Sequence, residues 1–261
     1  MSFTASKFNV EFDNVSLNIN GRQILKSASF RLPNNKFSLL MGVSGAGKTS
    51  ILRLVTGQIQ PSSGRVLVNE QPIDYNNHDN LYHMRKNMGM VFQSSALFSD
   101  LTVAENVAIP LLEHSSMSAI TIKEKVAQML KTVNLLDAAD YYAWQLSGGM
   151  QKRAAIARAG ILNPQIMLYD EPLSGQDPIT CQSLTSIMAA RNTIEGNSAI
   201  VVSHKIEIIM PLVDYAVILK DGNIIFADHV LALPASSNNF IQDFVKNCNW
   251  SAIIKDKSYD H

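Results

Sequence analysis

The chain has 261 residues, 46% of them hydrophobic, which is ample for a buried core and argues against a disordered chain. Its 22 Lys and Arg offset 22 Asp and Glu to a formal charge of +0, so no global basic field points to a nucleic-acid partner. Two distant cysteines, Cys181 and Cys248, form neither a metal-ligand cluster nor a secreted disulfide framework and read as reduced thiols.

The opening residues lack a basic-then-apolar signal pattern, and no apolar run approaches the ~20 residues that span a bilayer. A soluble chain is expected, with any membrane role supplied by a partner. Residues 8–19 (FNVEFDNVSLNI) and 64–73 (GRVLVNEQPI) alternate apolar and polar side chains, the pattern of half-exposed antiparallel strands. Residues 37–41, 166–169 and 199–202 are instead short apolar runs, each followed at once by glycine or polar residues, as in buried parallel strands. Ligands of such sheets collect beyond the carboxyl ends of the strands, so the three segments are expected to converge on one site.

After the first run, Gly42, Val43, Ser44, Gly45, Ala46, Gly47, Lys48 and Thr49 fit the G-x-x-x-x-G-K-[ST] pattern, followed from Ser50 by a predicted helix. Glycines let backbone N–H groups approach phosphates, and the helix N-terminus favours their charge. Lys48 is expected on the β and γ phosphates of a nucleoside triphosphate and the Thr49 hydroxyl on Mg²⁺.

Gln93 lies in MVFQSSALF, between this core and a stretch from about 94 to 164 that reads as an inserted helical subdomain. Its amide suits Mg²⁺ or the attacking water. Within the insert, residues 121–136 place Val126, Met129, Leu130 and Val133 at helical spacing. Its last helix is expected to start after Ser147, Gly148 and Gly149 and to stop at Asn163-Pro164. A hydroxyl and close-approach N–H groups at a helix N-terminus make a second anion site. Projecting sideways, that site would serve the nucleotide of a second copy related by a two-fold axis.

The second apolar run ends in Asp170 and Glu171. Asp170 is expected to hold Mg²⁺, directly or through water, and Glu171 to polarise the attacking water as general base. His204 follows the third run, where an imidazole would hydrogen-bond the γ-phosphate. VILKDGNIIFAD then reads as a hairpin turning at Asp221-Gly222. Phe240, Ile241, Phe244 and Val245 recur at one-turn spacing behind a polar cap at 236–239. The extension over 231–261 reads either as a solvated tail or as a segment whose Phe240, Phe244 and Trp250 contact a protomer or a regulatory partner.

The phosphate loop, Gln93, LSGGM, LYDE, Ser174-Gly175-Gln176-Asp177 and His204 stand in the order found in ABC-transporter ATPase subunits, which the chain resembles over roughly residues 8 to 230. The resemblance implies an α/β P-loop NTPase with a RecA-like core, an antiparallel β subdomain and an inserted α-helical subdomain. It also implies a head-to-tail homodimer around two Mg-ATP, with Ser147, Gly148, Gly149 and Asp177 at the nucleotide, driving a permease through a groove near Gln93. GQIQPSSG, FQSSALFSDLTVAENVAIPLLEH and DEPLSGQDPIT resemble the MCE-associated phospholipid-transport branch. That branch implies an inner-membrane permease, a periplasmic MCE lipid-binding protein, a small cytoplasmic STAS-domain protein and a place at the cytoplasmic side of the inner membrane. Amino-acid or metal-ion importers would carry a nearly identical cassette. A soluble repair or translation ATPase would show long coiled coils or paired cassettes, and a non-hydrolysing scaffold would lack Glu171. Three departures stand out: Ile19 or Asn20 where many members stack adenine on an aromatic, Met150 for glutamine after LSGG, and Gln176 for leucine before Asp177.

Overall fold

Alternating apolar side chains carry the first segment into strand β1 (Phe8–Ile19), which buries Val10, Phe12, Val15 and Leu17 on one side. The computed structural model describes residues 8–247. The remaining elements follow in chain order: β2 (Arg22–Pro33), β3 (Phe37–Gly42), α1 (Lys48–Val55), β4 (Ser63–Val68), β5 (Gln71–Pro72), α2 (His78–Lys86) and β6 (Met88–Val91). After these come α3 (Val103–His114), α4 (Ala119–Thr132), α5 (Gly148–Gly160), β7 (Ile166–Asp170), α6 (Pro178–Glu195) and β8 (Ser198–Val202). The chain continues through α7 (Ile206–Ile209), β9 (Tyr215–Lys220), β10 (Asn223–His229) and α8 (Asn239–Asn247). Two compact units result, residues 1–81 with 200–261 and residues 82–199.

In the first unit a four-stranded antiparallel sheet runs in the order β2-β1-β4-β5. The alternation over 64–73 is not one strand. Asn69 and Glu70 take left-handed φ of 49° and 64° and turn β4 back on β5. β2 is the partner that completes this layer, and Phe12 stacks on its Phe30 with ring centroids 4.5 Å apart. β9 pairs in parallel with β3 and antiparallel with β10, and Asp221 and Gly222 both have positive φ, as a two-residue hairpin turn requires. α8 begins where the polar cap is expected, with Phe240 N donating to Asn238 Oδ1 and the Lys220 ammonium 4.8 Å over the Phe240 ring. Trp250 and Cys248 lie outside the described residues.

In the second unit, β6 and β7 pair in parallel. α3, α4 and α5 close over a core of Val103, Val107, Leu111, Val126, Leu130, Val133 and Leu146, with Met129 and Met150 packed against it. α3 is fixed by a capping box, Thr102 with Glu105. The connection into it wraps Asn106, which is fully buried: Oδ1 accepts from Phe98 N, and Nδ2 donates to Phe98 O, Leu101 O and Thr102 O. Asn106→Ala strands these groups and is expected to cost about 2–3 kcal/mol, read as a lower urea midpoint with an unchanged slope. α5 ends at Gly160, a turn before Pro164, and Asn163 takes a left-handed φ of 53°.

Candidate nucleotide site

β3 delivers the chain into the glycine loop at Gly42, whose φ is 149° and where an added Cβ would stand 2.4 Å from Leu219 O. No other residue fits that position. Gly47 takes a φ of 103° and turns the chain into α1 at Lys48. Lys48 is buried, and its Nζ donates to Gly42 O at 2.9 Å and Val43 O at 3.0 Å, lying across its own loop. Val43, Ser44 and Gly45 are exposed, while Thr49 and Ser50 occupy the half-buried first turn of α1.

Val43, Ser44, Gly45 and Ala46 border a cleft of about 240 Å³ whose far side carries Arg22, Lys26 and Asp221-Gly222. Backbone N–H groups at a helix start and two nearby cations suit a polyphosphate. None of the residues bordering the cleft is aromatic, and Ile19 is 37% exposed. In the same unit His204 is exposed just past β8, and Lys205 N donates to Ser203 Oγ.

In the second unit Ser147 is the N-cap of α5, its Oγ accepting from Met150 N at 3.4 Å. Gly148 and Gly149 form the first turn. A Cβ on Gly149 would stand 2.6 Å from Thr180 Cγ2, so the glycine is what lets α6 approach the loop. Asp177 caps α6: Oδ1 accepts from Thr180 N at 3.0 Å and Oδ2 from Thr180 Oγ1 at 2.6 Å. The Thr180 hydroxyl, and then its N–H, hold the Asp177 carboxyl below the usual carboxylate range. The Gln176 amide lies against Gly148, 3.3 Å from where a Cβ would stand. The structure thus brings Ser147, Gly148 and Gly149 together with Gln176 and Asp177, and gives Asp177 a capping role that spacing did not reveal.

β7 is buried along its whole length and ends in Asp170, 8% exposed. Glu171 follows with a φ of 50°, a left-handed conformation costing a non-glycine residue of order 1–3 kcal/mol.

The Gln93 side chain is exposed, but its backbone is held: Lys152 Nζ on α5 donates to Gln93 O. Arg158, on the same helix, donates to Ser95 O at 3.2 Å, and Ser95 and Ala96 both take left-handed φ. Neither cation was marked by the sequence reading. Its available signal was a lysine and an arginine within an alanine-rich helix whose other residues are mostly buried.

A family model described as "ABC transporter" matches residues 25–174. The intermembrane phospholipid transport system ATP-binding protein MlaF of Escherichia coli K12 is 39% identical over 236 residues, covering 90% of this chain and 88% of that protein. The chain belongs to the ABC transporter family. The methionine import ATP-binding protein MetN of Histophilus somni is 33% identical over 220 residues, covering 83% of this chain and 64% of MetN. Among solved structures, the ATP-binding cassette MJ0796, described as a dimeric post-hydrolysis state bound to ADP and Pi, superposes with a TM-score of 0.78 at 29% identity, covering 85% of this chain and 98% of that one. The fold is therefore the ABC ATPase cassette, a P-loop NTPase. Within this family the departure at Met150 has a packing account: the side chain joins the α3–α5 core instead of presenting an amide.

Proposed function

We propose that this ABC ATPase hydrolyses ATP to drive phospholipid trafficking between inner and outer membrane, in the service of outer-membrane lipid asymmetry. The observation that carries the lipid assignment is the 39% identity spanning 88% of MlaF. The MetN relative is matched at 33% identity over 64% of its length, which favours lipid over an amino-acid or metal-ion substrate.

Lys48, Thr49 and the loop N–H groups hold the phosphates of ATP. Thr49, Asp170 and Gln93 supply the hydroxyl, carboxylate and amide oxygens that a hard cation such as Mg²⁺ takes, and the bound cation would neutralise phosphate charge. Glu171 takes a proton from the attacking water, and His204 donates to the γ-phosphate. Ser147, Gly148 and Gly149 serve the nucleotide of a second copy of the chain, so that a homodimer encloses two ATP; the dimeric cassette relative supports this reading.

Among the described residues no helix is long and apolar enough to cross a membrane. Attachment then runs through a permease at the cytoplasmic side of the inner membrane. A groove of about 390 Å³ in the second unit has an apolar floor that includes Phe92, Phe98, Ile109 and Pro110, with Arg85, Lys86 and Arg158 along it. That chemistry suits a short amphipathic helix of the permease. The further partners are a periplasmic MCE lipid-binding protein and a small cytoplasmic STAS-domain protein. Co-purification in mild detergent tests the assignment. Recovery of a permease with an MCE protein is expected; recovery of a different periplasmic receptor overturns the lipid reading and leaves the ATPase standing.

A further inference from the structure

Lys152 is only 4% exposed although it is charged, and it lies one turn after Gly148 on α5. Burying an ammonium is costly unless carbonyls and carboxylates replace its water. Here the Gln93 carbonyl accepts from Nζ. Burial pulls the Lys152 pKa below its ordinary value, while the charges of Asp170 and then Glu171 push it back up, so the ammonium stands in the field of both carboxylates. One side chain therefore joins the helix headed by Ser147 to the Gln93 backbone while standing in the field of the carboxylate pair at the end of β7. Arg158 reaches the Ser95 carbonyl from the same helix, so the 93–95 loop is gripped at two points, and only the Lys152 grip lies in the carboxylate field.

We propose that Lys152 is a positioning residue for hydrolysis: its ammonium ties the Gln93 loop to the signature helix and counters the charge of Asp170 and Glu171 until a divalent cation does so. The inference rests on the roles given above to Gln93, Asp170 and Glu171. A dication held at Asp170 would supply the positive charge that Lys152 supplies there in its absence.

The test uses the full chain, with steady-state ATP hydrolysis measured against ATP and against Mg²⁺, and with Mg²⁺ binding to the nucleotide-free chain measured by calorimetry, where Lys152→Met is expected to bind the ion more tightly than wild type. Lys152→Met is expected to lower kcat about tenfold or more while KM for ATP moves less than about threefold, and Lys152→Arg to restore most of the rate. Removing the ammonium leaves the carboxylates less neutralised, so the Mg²⁺ half-saturation point should fall in Lys152→Met. Lys152→Gln keeps a donor for the Gln93 carbonyl without the charge; it should resemble Lys152→Met, and it reports independently if the methionine variant does not fold. An unchanged kcat, an unmoved Mg²⁺ dependence, or a glutamine variant as active as wild type overturns the proposal alone. Wild-type turnover that survives Glu171→Gln overturns the site assignment beneath it.

Discussion

Glu171→Gln is expected to stop turnover while leaving ATP-dependent dimerisation intact. A positioned general base is worth about 10²–10⁴-fold, and an amide of the same shape does not take the water's proton. The glycine loop, with Lys48 held across Gly42 O and Val43 O, lies outside the substitution. ATP binding and closure of the dimer should therefore persist, and the closed state should accumulate because hydrolysis no longer opens it. Phosphate release and size-exclusion elution with Mg-ATP are the paired readouts. Loss of dimerisation together with turnover would make Glu171 a structural residue, and retained turnover would remove it from the chemistry. Glu171 takes a left-handed φ of 50° directly after β7.

The second large effect is expected at the phosphate loop. Lys48→Ala removes a charge-assisted donor to the phosphates, worth roughly 1.5–3 kcal/mol, so ATP binding should weaken about 10- to 150-fold. Titration with a fluorescent ATP analogue measures it. Ser147→Arg contrasts with this. A long cation at the N-cap of α5 blocks the signature loop and leaves the glycine loop untouched, so nucleotide binding to the monomer should be retained while hydrolysis is lost.

Much of this site is legible in the residues because its chemistry depends on backbone geometry that only certain residues permit. Gly42 and Gly149 stand where a Cβ would collide with Leu219 O and with Thr180, so the glycine patterns were reporting real contacts. Buried strands β3, β7 and β8 were visible as apolar runs because both their faces are covered. β2 was not read: charged residues interrupt RQILKSASFRLP, and it is pairing with β1 that makes it a strand. The turn at Asn69-Glu70 was hidden because the alternation of 64–73 carries on through it. Lys152 and the capping role of Asp177 were not read from the sequence for a common reason. The Lys152 bond to the Gln93 carbonyl crosses 59 residues, and the importance of the Asp177 cap lies in holding Thr180 against Gly149, a contact between helices. Side-chain to backbone bonds of that kind leave no periodicity to find.

The central claim is that each nucleotide is completed by the signature loop of the other copy. Mixing Lys48→Ala with Ser147→Arg tests it most directly, at an ATP concentration that saturates wild type but leaves Lys48→Ala largely unoccupied, so that neither variant alone turns over appreciably. In the mixed dimer one site joins an intact glycine loop to an intact Ser147 loop, while the other carries both defects. With random pairing, about a quarter of the sites should be rebuilt, so hydrolysis should reappear at about that fraction of the wild-type rate if each site turns over independently. Mixtures that stay as inactive as the separate variants, although heterodimers form, would place the complete site within one chain and contradict the account.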